Sequence, residues 1–187
     1  CCRIHKKRAR RCGTEAELRN QIIRIRRNLA DFRIDIVGGD NLSFAPGEVS
    51  ENVTLGQAGW LGAKKDQRLC AQAKVSDAWG EYSFSFTPKS SGKATIQLMS
   101  SDAKTFVACD NIRVTSGIPN GSFEQLRPDG TPSGWWKMRD ARVVVDGSAA
   151  DGKNYVLSAH NDRWTRQFDC TAGIPVTVKF SARREGK

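Results

Sequence analysis

The chain has 187 residues, 39% of them hydrophobic and 27% charged, with a formal net charge of +10. That length suffices for a sizeable core and favours one domain with an appendage. No apolar run reaches the length of a membrane span and none has the form of a signal-peptide core. The charge would suggest a nucleic-acid binder until it is divided along the chain. Residues 1 to 33 hold eleven Lys and Arg against three acids, whereas the remainder holds 19 against 17. A basic partner surface therefore belongs to the N-terminal segment, and since no aromatic residues interleave with those charges, nucleic acid is not the expected partner.

In chain order, residues 1–32 form a basic N-terminal unit. The first thirteen residues are polybasic without apolar periodicity, a composition that stays unfolded alone and can lie against a membrane surface. The chain opens on Cys1 rather than Met, as a processed or partial chain does. Thr14-Glu-Ala-Glu17 has capping-box spacing, so a helix is predicted from Thr14 to about Phe32. Leu18, Ile22, Ile25, Leu29 and Phe32 then recur every three or four residues, an apolar stripe with Arg19, Arg24, Arg26 and Arg27 on other faces. Such a stripe packs on the domain, assembles with a second copy as in a coiled coil, or binds a membrane surface; it is the candidate assembly element.

From residue 33 the period changes to two. Strands are predicted at Phe32–Val37, Val49–Leu55, Leu69–Val75, Glu81–Thr87, Lys93–Met99, Phe106–Ala108 and Asn111–Val114, with Gly- and Pro-rich turns between. After Gly117-Ile-Pro-Asn-Gly121 the pattern resumes at Ser122–Glu124, Arg142–Asp146, Asn154–Ala159, Trp164–Asp169 and Pro175–Ala182. Many short strands and no further helix mean an all-β sandwich or barrel. Phe84, Phe86, Ile96, Leu98, Phe123, Trp135, Val156, Val178 and Phe180 alternate with polar neighbours or sit at framework positions, and are the predicted core.

Two groups of motifs carry a family resemblance. Asn120-Gly-Ser-Phe-Glu124, Gly134-Trp-Trp136, Lys153-Asn-Tyr-Val-Leu-Ser158 and Val176 to Arg183 resemble the first half of carbohydrate-binding modules of the galactose-binding-like jelly-roll superfamily. Trp79 to Pro88, Lys93 to Met99 and Ala108 to Val114 resemble the second half. The halves stand in inverted order: residues 33–116 read as the second half and residues 117–187 as the first. The resemblance implies a jelly-roll β-sandwich, permuted within one chain or completed between chains by strand exchange, and an extracellular or cell-surface location.

The resemblance also implies a structural calcium ion near Glu124 and Asp110, with Asn111 as companion; the alternative is that these carboxylates bind backbone amides without metal. A sugar needs an exposed aromatic face with polar groups around it, for which Trp60, Trp136 and Trp164, with Arg163, His160 and Asn161, are the candidates. Trp79 and Trp135 fall at framework positions and are assigned to the core. Cys70–Cys170 or Cys109–Cys170 would be a disulfide in an oxidising compartment, buried free thiols being the alternative. Zinc has no support: there is no Cys-x-x-Cys pair, and His5 and His160 stand far apart. No nucleophile motif accompanies His160 and no acid pair is signalled, so the expectation is a noncatalytic protein. The inverted halves and the separate helix favour a structural subunit of an extracellular filament or surface assembly, with self-association as its partner relation; a module that binds polysaccharide through exposed Trp residues is the alternative.

Overall fold

The computed structural model describes residues 30–38, 42–57, 65–101 and 105–185. The helix expected from Thr14, with Leu18, Ile22, Ile25 and Leu29, lies outside them, as do Trp60, Cys1, Cys2 and Cys12. Twelve strands follow in order: β1 Ala30–Gly38, β2 Phe44–Val49, β3 Val53–Gln57, β4 Arg68–Val75, β5 Gly80–Pro88, β6 Gly92–Ser100, β7 Phe106–Val114, β8 Trp136–Lys137, β9 Arg142–Val145, β10 Asn154–Ser158, β11 Trp164–Cys170 and β12 Val176–Glu185. One 3-10 turn at Lys65–Gln67 precedes β4. Among the described residues the protein is all-β, as the period-two pattern predicts.

The strands form two six-stranded antiparallel sheets. Sheet A runs β3-β4-β1-β6-β11-β8 and sheet B runs β2-β5-β12-β7-β10-β9. Each sheet draws strands from both sequence halves. β12, the strand that exchange would hand to a neighbour, pairs β5 on one side and β7 on the other within its own chain. The sandwich is thus complete without a donated strand.

One apolar cluster lies between the sheets and contains all nine predicted core residues. Phe32 of sheet A meets Phe180 of sheet B with ring centroids 5.2 Å apart, and Phe86 of sheet B meets Phe168 of sheet A at 6.5 Å. Such pairs add to area burial because ring edges and faces are electrostatically complementary.

The register corrects several expectations. Phe32 is not part of a helical stripe: it is a wholly buried inward residue of β1, because the alternation Phe32, Ile34, Ile36 claims it for the strand. The single strand expected over Val49–Leu55 is broken between β2 and β3, where Asn52 takes a φ of 63°. Phe106–Ala108 and Asn111–Val114 are one strand, β7, whose pairing with β12 shifts between Lys179 and Ser181. Ser122–Glu124 is a turn rather than a strand. Phe123 has a φ of 58° there and inserts its ring into the core against Trp135 at 5.0 Å, while the Asn120 side chain accepts from Gln125 N and donates to Gln125 O and Ser133 O. Gly121 passes so close to Ile112 that a Cβ would lie 1.9 Å from its carbonyl oxygen, which explains the glycine. Cys70, Cys109 and Cys170 are all free and buried, so neither disulfide forms.

Candidate functional site

The outward face of sheet A is the most strongly organised polar surface in the described residues. Since Phe32, Ile34 and Ile36 of β1 point to the core, Arg33, Asp35 and Val37 point outward. The strand register then lines up one residue from each strand: Gly56 opposite Cys70, Cys70 opposite Asp35, Asp35 opposite Gln97, Gln97 opposite Thr165, and Thr165 opposite Trp136. The parallel row two residues along holds Thr54, Gln72, Arg33 and Met99. It continues through Arg163 and Met138, whose backbones bond each other at 2.9 and 3.3 Å.

The centre of this face is ionic. Asp35 points outward yet is fully buried, because two arginines close over it. Arg33 donates to it through Nε at 2.8 Å and Nη2 at 3.2 Å, and Arg68 donates through Nη2. A desolvated carboxylate is tolerable only with such charge-assisted partners. Arg163 sits at the edge of the cluster. Its Nε donates to His160 O at 2.9 Å and its Nη1 to Gln97 Oε1 at 3.4 Å. Burial, and then the neighbouring Arg68 charge, hold the Arg163 guanidinium below its ordinary pKa, while Asp35 pulls the other way. Burial, followed by the Asp35 charge, pushes the Cys70 thiol up to about 12, so it is a neutral thiol at pH 7 and no nucleophile.

Arg163 and His160 are bonded at this edge, Asn161 lies in the same turn, and Trp136 stands opposite Thr165 two residues along. Trp136 is 54% exposed on the short strand β8. His160 and Asn161 lie in the turn closed by the bond from Ala159 N to Asp162 O at 2.9 Å, immediately before Arg163. Trp164 does not join them as a sugar platform: alternation along β11 turns it inward, where it is fully buried and donates Nε1 to Leu157 O at 3.3 Å. It floors the edge that Trp136 opens. The residues that sequence reasoning missed are Arg33, Asp35, Arg68 and Gln97. The signal for three of them was present, because charged or amide residues alternate with core residues along predicted strands; Arg68 stands one residue before its predicted strand.

Asp110 and Glu124 meet on one loop. Asp110 is fully buried; its Oδ1 accepts Asn111 N at 2.6 Å and its Oδ2 accepts Asp151 N at 2.8 Å. Glu124 Oε1 accepts Lys153 N at 2.8 Å and Asn154 N at 2.7 Å. Gly152, at φ +72°, keeps clear of Glu124, whose Oε1 would lie 2.5 Å from a Cβ. Asn111 Oδ1 is taken by Arg113 Nε at 3.0 Å. Oxygens that already accept amide N–H groups make a thin ligand set for a cation that takes six to eight oxygens, and among the described residues no third acidic or imidazole group joins them. In this structure the two carboxylates act as a latch on the 150–154 loop. Burial raises the Asp110 carboxyl to about 6, against the amide bonds that lower it.

The outward face of sheet B is built differently. Arg183 lies between Trp79, 4.8 Å from its ring centroid, and Tyr155, at 5.1 Å, and donates to Tyr155 Oη at 3.0 Å. Trp79 meets Tyr155 edge-on at 5.5 Å and donates Nε1 to Ser148 O at 2.7 Å, so it belongs to a half-buried satellite cluster rather than to the main core. Beside it a groove of about 310 Å³ runs between Ser50, Glu81, Ser83, Asn111, Arg113 and Lys179. Its aromatic liners, Tyr82 and Phe180, stack on each other at 5.5 Å and offer no free face.

Comparison with protein-family models, curated proteins and solved structures found no match.

Proposed function

We propose that this protein is a noncatalytic glycan-binding module with a jelly-roll fold, acting outside the cell, and that the outward face of sheet A is its binding surface. The observation that supports the reading most is the cross-strand row that ends in the open ring of Trp136. A pyranose has an apolar face of C–H groups that stacks on an indole, and hydroxyls around its rim that need donors and acceptors held in place. Trp136 supplies the first, and Thr165, Gln97 and Arg163 supply the second. These groups stand on paired strands, and the Arg33–Asp35–Arg68 cluster beside them is already bonded through Asp35, so little is left to order when a ligand arrives.

The structural-subunit reading draws its support from the sequence stripe of Leu18, Ile22, Ile25 and Leu29. Its strand-exchange form is weakened by the seating of β12 between β5 and β7. Binding to a panel of soluble polysaccharides, read by affinity electrophoresis, tests the glycan reading. Retention by at least one polysaccharide that Trp136→Ala abolishes is the expected result. Retention unchanged in Trp136→Ala would remove sheet A from the account, and no retention by any polysaccharide would remove the function.

A further inference from the structure

We propose that the preferred ligand of this face is an acidic glycan, one whose sugars carry carboxylates, and that Arg163 receives the carboxylate while Trp136 holds the ring. The inference rests on the glycan-binding reading above and names its substrate class. It starts from a charge imbalance. Arg33, Arg68 and Arg163 converge on one carboxylate, Asp35, with Arg139 close enough to act on Arg163 as well. Asp162, the acid of the adjacent turn, has its Oδ1 engaged by Asp140 N at 3.3 Å, and Asp140 is exposed at the rim. Two of the guanidiniums are consumed by Asp35. Arg163 is not: its bonds to His160 O and Gln97 Oε1 use Nε and Nη1, and Nη2 has no protein partner among the described residues.

Those two bonds also fix the plane of the fork. A guanidinium so oriented and half-buried, on which the Arg68 charge bears more strongly than that of Asp35, gains from an anion, and a carboxylate can take it end-on through Nη2 and the second N–H of Nη1. The register places the fork correctly. Trp136 pairs Thr165, and Arg163 stands two residues before Thr165 on the same face, so their strand positions are diagonal neighbours, roughly 7 to 8 Å apart, with the Arg163 fork leaning across β11 towards Gln97 on β6. A chain stacked on Trp136 and running along the row towards Gln97 would carry the carboxylate of a following sugar over the fork. A neutral glycan would leave Arg163 with only hydroxyls to satisfy it.

The test compares polygalacturonate with neutral xylan, by affinity electrophoresis at low and high salt, for the intact protein and for Arg163→Gln, Arg163→Lys and Trp136→Ala. Wild type is expected to bind polygalacturonate at least about tenfold more tightly than xylan, with the difference shrinking in high salt. Arg163→Gln should lose roughly tenfold on polygalacturonate and little on xylan, and Arg163→Lys, which keeps the charge without the fork, should recover part of the loss. Unchanged thermal melting of Arg163→Gln separates a binding loss from a folding loss. Equal or tighter binding to xylan, or an equal loss on both glycans in Arg163→Gln, overturns the acidic preference while leaving the binding module standing. Loss of neither glycan in Trp136→Ala overturns the binding face itself.

Discussion

The two outward faces of the sandwich use the same residue types in opposite ways. On sheet B, Trp79 is spent on Tyr155 and Arg183, whose guanidinium lies over both rings, and Phe106 is covered in the same way by Arg142. On sheet A, Trp136 stacks on no other ring among the described residues and is half open, while the arginines are gathered around a buried acid. An aromatic near an arginine is thus packed against it on one face and left open on the other. The difference is set by register, since Trp136 stands in a two-residue strand with no further strand beside it among the described residues.

Variants sharpen that contrast. The largest effect is expected at Asp35: Asp35→Ala removes the carboxylate that the half-buried Arg33 and the buried Arg68 share and should cost about 3–5 kcal/mol in chemical denaturation. A cost under about 1 kcal/mol would show that the cluster does not hold sheet A. Phe180→Ala, at the contact between the sheets, should cost a similar 3–5 kcal/mol. Trp79→Ala should cost about 2 kcal/mol, the half-buried ring and its cation–π contact being lost, and should leave glycan retention as it is. Trp136→Ala should do the reverse, changing stability by less than about 0.5 kcal/mol, because an exposed ring has little to lose on unfolding. A stability loss of more than about 2 kcal/mol in Trp136→Ala would make it a packing residue as well.

The Asp110 latch gives a smaller, pH-dependent effect. Its folded pKa of about 6 lies above the ordinary carboxyl value of 3.8, so the folded state binds the proton more tightly than the unfolded one. The stability this contributes is present in full below the unfolded pKa and is lost as pH rises through the folded value. Asp77, Asp129 and Asp146, held low chiefly by side-chain bonds from Arg184, Thr131 and Ser148, act in the opposite sense. The readout is therefore the difference between wild type and Asp110→Asn: from pH 4 to pH 7 wild type should lose stability relative to the variant, and parallel curves would refute the shift. The smallest expected effect is that of calcium. If Asp110 and Glu124 serve as a latch, adding calcium or a chelator leaves the melting temperature unchanged, and a rise with calcium would restore the metal reading.

Much of the fold was legible because apolar and polar residues alternate along β5, β6 and the first half of β12, and each inward residue named from them is buried in the shared core. What alternation cannot show is register between strands far apart in sequence. Asp35 reads as one acid in a strand, and only its pairing with Cys70 and Gln97 reveals the cluster. Trp164 and Trp136 look alike in sequence, and the parity of β11 decides which is buried. β8 was missed because two residues carry no period. The turn at Phe123 was missed because a positive φ at a phenylalanine has no sequence signature; it is imposed by the bonds of Asn120 and by the space beside Trp135.

The central claim is that sheet A, and not sheet B, is the face that meets a glycan. Amide and indole NMR shifts recorded while oligogalacturonate and xylo-oligosaccharide are each titrated into the protein test it directly. The account predicts that the shifts gather at the Trp136 indole, Gln97, Thr165 and Arg163, with Trp79, Arg113 and Lys179 unmoved. Shifts that gather instead around Arg113, Lys179 and Trp79 would contradict it.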